Sequence, residues 1–536
     1  MKKIIGILLF TGFVLCNAQD LVLIKFADKP SAQVYFSDPT LMLSQKALDR
    51  RAKYNIELDL LDVPVESDYV DEINAIGIQP ILVSKWFNGV FAWCTENQVT
   101  DAEGLPFVTE VESFVRDAGK MSTDNPMEDK FKQPDVSNSD KSDLLGFNYG
   151  YTHTQVTQIK LDYLHDLGFT GEGVTIAILD NGFPGVDTAS GFSYIRDNGQ
   201  IKGGYNFVDG NEDIYGSGSH GTVVLSTIGG YIENQFVGTA IDADFYLYIT
   251  ENNQHELPDE EVNWIAAAEK ADSIGVDVIN TSLGYSDFDD SRYNYEYEDM
   301  DGATTFISRG AQIAAEKGIM VVVSAGNSGN SDWHYITAPA DAKDVFTIGA
   351  VDSNNNPAGF SSYGPTSDGR IKPDVDALGV WASVIRPDGS IDYSSGTSFS
   401  SPIMAGAMAC LIQAFPEILP GDLRENVRKS AHLYENPTAQ MGYGIPDFSD
   451  AYERCLGVED VDFNSVEVYP NPTDAWLNIV SEVPVRQIQL ISMEGKIVRK
   501  YKPVAQLDIS ELPKGVYVLK VQLENGKTEI KKIIRK

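Results

Sequence analysis

Three widely separated stretches of this 536-residue chain carry the side chains of proton-transfer chemistry. The first, GVTIAILDNGF, is an apolar run that ends in Asp180 just before an Asn181-Gly182 turn. The second, GSGSHGTVVLSTIGG, sets His220 among Gly216, Gly218 and Gly221, glycines that let backbone and substrate approach the ring. The third, DYSSGTSFSSPIMAG, packs six aliphatic hydroxyls (Ser394, Ser395, Thr397, Ser398, Ser400, Ser401) ahead of an apolar helical run. A serine becomes a nucleophile only when a base takes its proton, and a carboxylate can orient an imidazole for that task. Among the six, Ser398 follows Gly396-Thr397 at the loop tip, where a helix start favours developing negative charge. The others suit loop shaping and capping. Taken alone, Asp180 reads as a turn aspartate. Histidine is scarce, six in the chain, and His153, His165, His255, His334 and His432 sit in contexts that read as structural or surface positions.

The elements that must position these residues are legible as runs. From about Leu144 to Leu456, nearly continuous apolar stretches (VTIAIL, DFYLYI, VDVIN, IMVVVSAG, VFTIGAV) alternate with helical ones such as EEVNWIAAAEKADSIG and TTFISRGAQIAAEKG. Strands without polar alternation are buried on both faces, which predicts an α/β domain with a parallel sheet flanked by helices. Chemistry in such a sheet gathers at the carboxyl ends of the strands. Residues 20 to about 115 read as a small α+β unit: two helices, LSQKALDRR and SDYVDEINAIG, against a small sheet with PILVSKWFNGVFAWCT as one long strand. The polar stretch from Asp117 to about Lys141 reads as a linker. After Leu456, short alternating strands and an Asn525-Gly526 hairpin turn predict a small antiparallel β-sandwich. The expected divisions are 1–18, 19–116, 117–143, 144–457 and 458–536.

A formal charge of −37 disfavours nucleic acid and anionic membrane as partners, since polyanions are repelled. The N-terminus has Lys2 and Lys3, an apolar run from Ile4 to Leu15, and small residues before Gln19. That is a secretory signal peptide, too short to span a bilayer, and no later segment spans either. Leu15 before Cys16 is larger than a lipid-attachment signal tolerates, which argues against a lipoprotein anchor. Cys94, Cys410 and Cys455 remain after export, either with a Cys410–Cys455 bridge or as free thiols.

The order Asp180, His220, Ser398 on an α/β region resembles the subtilisin-like serine proteases. The resemblance rests on ILDNG, SHGT, INTSLG, VVVSAGNSG, GTSFSSP and GYGIPDFSDA, in family order over residues 144–456. It implies an Asp180/His220/Ser398 triad, with an oxyanion hole from the Asn327 side chain and the Ser398 backbone N–H. It further implies Ser282, Leu283 and Gly284 as an edge on which an extended peptide substrate adds as a strand. Gly284 is expected to keep that edge open. The resemblance implies no cofactor in catalysis. Structural calcium is frequent in the family, which makes the acidic run SDFDDSRYNYEYEDMDG (Ser286 to Gly302) a candidate calcium loop. Val223, Ile403 and Asn181 depart from common family residues, the first two from histidines and the third from a threonine, and the first two question how those helices pack.

The unit before this domain resembles the family's propeptides, which fold the protease and block its cleft until cut away. An attached binding domain is the alternative. The tail, with YPNPT, EGKIV, GVYVLKV and KKIIRK, resembles the C-terminal sorting domains of the type IX secretion system of Bacteroidota; a carbohydrate-binding or adhesion sandwich competes. The expected protein is thus a secreted or cell-surface serine endopeptidase made as a zymogen. Its partners are protein or peptide substrates, its own propeptide and the secretion machinery. The rivals are a catalytically silent surface binding protein on the same fold and an esterase, whose G-x-S-x-G elbow the sequence Gly396 to Ser400 does not match.

Overall fold

The computed structural model of the chain describes residues 19–116, 147–216, 218–457, 466–481, 484–492, 496–523 and 528–536. The expected signal peptide, the linker 117–143 and the Asn525-Gly526 turn lie outside the described residues. The chain divides after Cys455 into two compact units.

The first unit opens with a four-stranded antiparallel sheet, β1 (Asp20–Phe26), β2 (Leu82–Ser84), β3 (Gly89–Cys94) and β4 (Val108–Ser113), in the order β2-β3-β1-β4. Four helices accompany it: α1 (Ala32–Ser37), α2 (Gln45–Tyr54), α3 (Ser67–Ala75) and α4 (Glu96–Glu103). The two-helix expectation is thereby corrected, and so is the single long strand. PILVSKWFNGVFAWCT turns back on itself at Asn88, which takes a left-handed φ of 47° and donates its side-chain amide to the Phe26 carbonyl. Asparagine tolerates that conformation, and Asn-Gly is a hairpin signal.

Seven strands then form one parallel sheet: β5 (Thr175–Asp180), β6 (Ile201–Asn206), β7 (Asp244–Ile249), β8 (Val278–Thr281), β9 (Met320–Ser324), β10 (Phe346–Val351) and β11 (Val375–Leu378). Their order is β11-β10-β9-β8-β5-β7-β6. Alternate residues serve two cores. Ile176, Ile178, Met320 and Val322 face a core shared with α5 (His220–Gly229), whereas Ala177, Leu179, Val321 and Val323 face one shared with α6 (Asp259–Ile274) and α7 (Phe306–Glu316). Beyond β11 come a hairpin, β12 (Ala382–Ile385) with β13 (Ile391–Ser394), and the long helix α8 (Thr397–Ala414), which packs beside α5.

The N-terminal sheet rests on α6 and α7. Leu21, Leu23, Phe91 and Phe114 join Trp264 and Phe306 in one core, with the Phe114 and Phe306 rings stacked at 3.9 Å. Beside this apolar contact lies a buried ionic knot. Asp272 of α6 accepts from Arg50 at 2.6 Å, Arg51 at 2.9 Å and Lys85 at 3.2 Å, while Lys317 reaches Asp59 and Asp62 at 2.8 and 3.1 Å. Burial pushes the Asp272 carboxyl up, but the three cations outweigh it and hold it below its ordinary value.

The second unit is a sandwich of two antiparallel sheets. One contains β14 (Val466–Tyr469), β15 (Trp476–Ser481) and β18 (Gln506–Asp508); the other contains β16 (Val485–Ser492), β17 (Ile497–Tyr501), β19 (Gly515–Leu523) and β20 (Thr528–Arg535). Leu477, Ile479, Leu490, Leu519 and Val521 fill the space between them.

Two buried carboxylates fasten the start of α7. Glu261 accepts from the Tyr295 hydroxyl at 2.6 Å and the Ile307 N–H at 3.2 Å, and Asp341 accepts from the Gly302 N–H at 2.7 Å. Burial pushes Glu261 up to about 7 and Asp341 up to about 6. A carboxyl whose folded pKa is raised binds a proton that the unfolded chain has already released, so its stabilisation is present at low pH and lost as pH rises through the folded value. In a Ser398→Ala background, the urea midpoint should therefore fall between pH 5 and pH 8. Glu261→Gln should flatten that slope by on the order of 2–3 kcal/mol; an unchanged slope would contradict the assignment.

Candidate active site

Asp180 closes β5 and is fully buried. Its Oδ1 accepts the Asn181 N–H at 2.8 Å, and the His220 ring lies across the carboxylate with Nδ1 at 2.8 Å from Oδ1 and 3.0 Å from Oδ2. A carboxylate only accepts, so Nδ1 carries the proton, and in the neutral ring Nε2 keeps its lone pair. His220 is the first residue of α5, and Asn181 ties that helix to the strand by accepting the His220 N–H at 3.0 Å. Asn181 is held in turn through Asn253 at 3.0 Å. A Cβ on Gly221 would lie 2.6 Å from the Gly182 carbonyl and 3.0 Å from the Asp180 Cβ. This glycine therefore serves the close approach of helix and strand.

Ser398 is the second residue of α8, behind Gly396 with φ +148°, a conformation that favours glycine. The His220 ring centroid is 6.0 Å from that of Phe399, so the imidazole lies against the residue following the serine. Pro402 sits within α8 and has no N–H for the carbonyl four residues back, which is that of Ser398. The Ser282 hydroxyl fills this gap, donating to the Ser398 carbonyl at 2.9 Å. Behind it, Asn280 donates to the Ser282 oxygen at 3.1 Å and Ser401 donates to Asn280 at 3.1 Å. The Ser398 hydroxyl itself is 3.3 Å from the Ser282 carbonyl.

Asn327 follows β9. Its Oδ1 accepts the Thr397 N–H at 2.9 Å and the Thr397 hydroxyl at 3.0 Å, which assigns the amide orientation. Thr397 also receives the Gly326 N–H at 3.2 Å. The remaining hydroxyls of the run are structural: Ser395 accepts the Trp381 N–H at 3.0 Å, Ser400 donates to the Thr397 carbonyl at 3.1 Å, and Ser394 meets Arg386 at 3.4 Å.

Leu283 is buried in the core, and a Cβ on Gly284 would lie 2.1 Å from the Thr337 hydroxyl. Gly284 accommodates the Thr337 hydroxyl, and Tyr285 and Ala338 exchange backbone hydrogen bonds next door at 2.8 and 3.1 Å. Val223 and Ile403, the departures that questioned helix packing, are buried in the apolar core on the α5 and α8 side of the sheet. His165 lies inside, between the Tyr149 hydroxyl at 2.8 Å and the Thr239 carbonyl at 3.0 Å, and burial pushes its pKa down to about 4.

Several carboxylates of the acidic run at 286–302 are engaged by protein groups. Asp290 is taken by Arg292 at 2.7 Å, Asp301 by the N–H groups of Ala303 and Thr304, Asp289 by the Glu256 N–H, and Asp299 by the Glu296 N–H. Among the described residues no group of three or more His, Cys, Asp or Glu is placed to hold a metal ion. Cys94, Cys410 and Cys455 are all unpaired, which settles the open alternative for the last two.

Residues 171–445 match the subtilase family, residues 21–130 the peptidase S8 propeptide domain of Bacteroidota, and residues 467–536 a secretion system C-terminal sorting domain. Serine protease AprX of Bacillus subtilis (strain 168) is 31% identical over 315 residues, covering 53% of this chain and 67% of its own. Subtilisin DY of Bacillus licheniformis is 29% identical over 275 residues, covering 51% of this chain and 89% of its own. The crystal structure of MycP1 with its propeptide removed superposes with a TM-score of 0.45 at 22% identity, covering 56% of this chain and 96% of that one. With a propeptide in front and a sorting domain behind, the protein is an exported serine-type endopeptidase, and the chain belongs to the subtilase family.

Proposed function

We propose that this is a secreted endopeptidase made as a zymogen, in which Ser398 is the nucleophile, His220 the general base and acid, and Asp180 the residue that orients and steadies the ring. The observation that carries the reading is the His220 ring held by Nδ1 on the buried Asp180 carboxylate at 2.8 Å, beside the start of the helix that bears Ser398. His220 Nε2 takes the Ser398 proton as the hydroxyl attacks a peptide carbonyl, then returns it to the departing amine. Asp180 stabilises the imidazolium formed between these steps. Negative charge on the tetrahedral oxygen is met by the Asn327 NH₂ and the Ser398 N–H, groups already oriented before reaction. Water then repeats the sequence on the acyl-enzyme. The acyl half of an extended substrate pairs with the backbone of residues 282–284.

Around this centre we assign residues 1–18 to a signal peptide, 19–116 to the propeptide, 117–143 to a linker containing the processing cut, 144–457 to the peptidase and 458–536 to the sorting domain. The propeptide's grip on α6 and α7 supports its role as intramolecular inhibitor, through the apolar contact and the Asp272 knot. Export would then be completed when the tail is read by the secretion machinery.

A serine-reactive fluorophosphonate should label the processed wild-type enzyme and neither Ser398→Ala nor His220→Ala. Labelling that persists in Ser398→Ala would defeat the assignment, and absence of labelling in the wild type would favour a silent binding protein. Asn327→Ala should lower kcat by about 100- to 1,000-fold with little change in KM, the magnitude known for such a donor in this family. Ser282→Ala leaves the Ser398 carbonyl without a partner and should destabilise the Ser398→Ala chain by about 1–3 kcal/mol in urea unfolding. In a Pro402→Ala background the restored N–H can serve that carbonyl, so the same change should cost clearly less; equal costs would refute the proline-driven account.

A further inference from the structure

Trp381 adopts φ +60°, a left-handed conformation that a bulky aromatic residue takes only under strain. A glycine would fit there freely, so some use of the ring has to offset its retention. Packing alone does not supply that use, because Trp381 is only partly buried. Its backbone N–H is fixed by the Ser395 hydroxyl at 3.0 Å, and the neighbouring Gly396 N–H donates to the Gly379 carbonyl at 2.7 Å. The strained residue is therefore stitched to the loop that delivers Ser398. From Trp381 an aromatic row leads outward. The Tyr393 ring stands edge-on at 6.3 Å and the Tyr151 ring edge-on to Tyr393 at 6.5 Å. Tyr393 is 36% exposed and Tyr151 41% exposed, and the Tyr151 carbonyl is anchored by the Ser383 hydroxyl at 2.7 Å.

The side of the cleft follows from the sheet order. Residues 282–284 leave the end of β8 and Asn327 follows β9, whereas Trp381 follows β11, two strands beyond β9 at the sheet edge. The Ser398 loop is bonded to both flanks, through Ser282 and through Gly379. With the acyl half of a peptide along 282–284, the flank that carries Trp381 and Tyr393 is available to its leaving half. We propose that Trp381, Tyr393 and Tyr151 form a shelf that selects an aromatic or large aliphatic side chain on the second residue after the scissile bond. The inference rests on the Ser398 reading above and adds the substrate's leaving-group preference to it.

Reversal of acylation isolates this half of the cleft. An amine attacks the Ser398 ester, the C–N bond forms as the C–O bond breaks, and His220 passes the amine proton to the Ser398 oxygen. The processed enzyme is given one peptide ester and, in turn, the acceptors Gly-Phe-NH₂, Gly-Leu-NH₂ and Gly-Gly-NH₂, and the ratio of peptide product to hydrolysed acid is measured. The wild type should favour Gly-Phe-NH₂ over Gly-Gly-NH₂ by about tenfold, with Gly-Leu-NH₂ between, the size expected of one aromatic contact. Tyr393→Ala and Trp381→Gly should each reduce the preference to about twofold, while Tyr393→Phe and Trp381→Phe keep most of it. The ratio is internal to each enzyme and so is independent of how much of it is active. A wild type without acceptor preference, or a preference intact in Tyr393→Ala and Trp381→Gly, would overturn the shelf. Ester hydrolysis absent from the wild type would overturn the Ser398 reading and the shelf with it.

Discussion

A carboxylate withdrawn from water has to be met by hydrogen-bond donors, and at the end of β5 the described donors to Asp180 are the Asn181 N–H and the His220 ring. That requirement fixes the imidazole. Since His220 also begins α5, the same contact sets the helix on the sheet, and Asn181 strengthens the joint by accepting the first N–H of that helix. Two apolar helices, α5 and α8, thus begin close together above the carboxyl ends of the central strands. The start of α8 brings the Ser398 N–H and the positive end of its dipole to the place where negative charge would develop in the proposed reaction.

The second joint is made by a defect. Pro402 deprives the Ser398 carbonyl of its helical partner, and the serine, asparagine and serine at 282, 280 and 401 close the gap with a chain of hydrogen bonds. The Ser398 backbone is thereby bound to the end of β8. Thr397 does the same for β9 by holding Asn327 with both its N–H and its hydroxyl. Three neighbouring strand ends, β5, β8 and β9, consequently converge on one loop. The density of hydroxyls in that loop, puzzling as a string of letters, is explained by these attachments.

Much of this was legible in the chain itself because the central strands are buried on both faces and cannot hide their apolar runs. β6, reading IKGGYN, escaped notice because it is an edge strand with only its last residue buried. β11 is four residues long and carries Asp376, whose two carboxylate oxygens are buried without a partner, so its text lacks the apolar signature too. The triad candidates were marked by their neighbours, glycine and small residues, whereas the partners of Asn181 and Ser282 depend on which distant residues the fold brings alongside. The partners of the acidic loop are hidden from the text in the same way. Carboxylates close in sequence suggest a shared cation, whereas Asp301 and Asp299 accept turn N–H groups and Asp290 pairs with Arg292.

The zymogen arrangement depends on the same skeleton seen from its other face. α6 and α7, which cover the sheet opposite α5 and α8, carry the propeptide, so the propeptide and the helices that bear His220 and Ser398 are separated by the sheet. The account stands or falls on the protonation geometry of a single ring. In a protein with 15N-labelled histidine and Ser398→Ala, nuclear magnetic resonance should find a far-downfield proton on His220 Nδ1, protected from exchange and lost in Asp180→Ala, with Nε2 unprotonated in the neutral ring. A proton resident on Nε2 instead, or a downfield signal that survives Asp180→Ala, would contradict it.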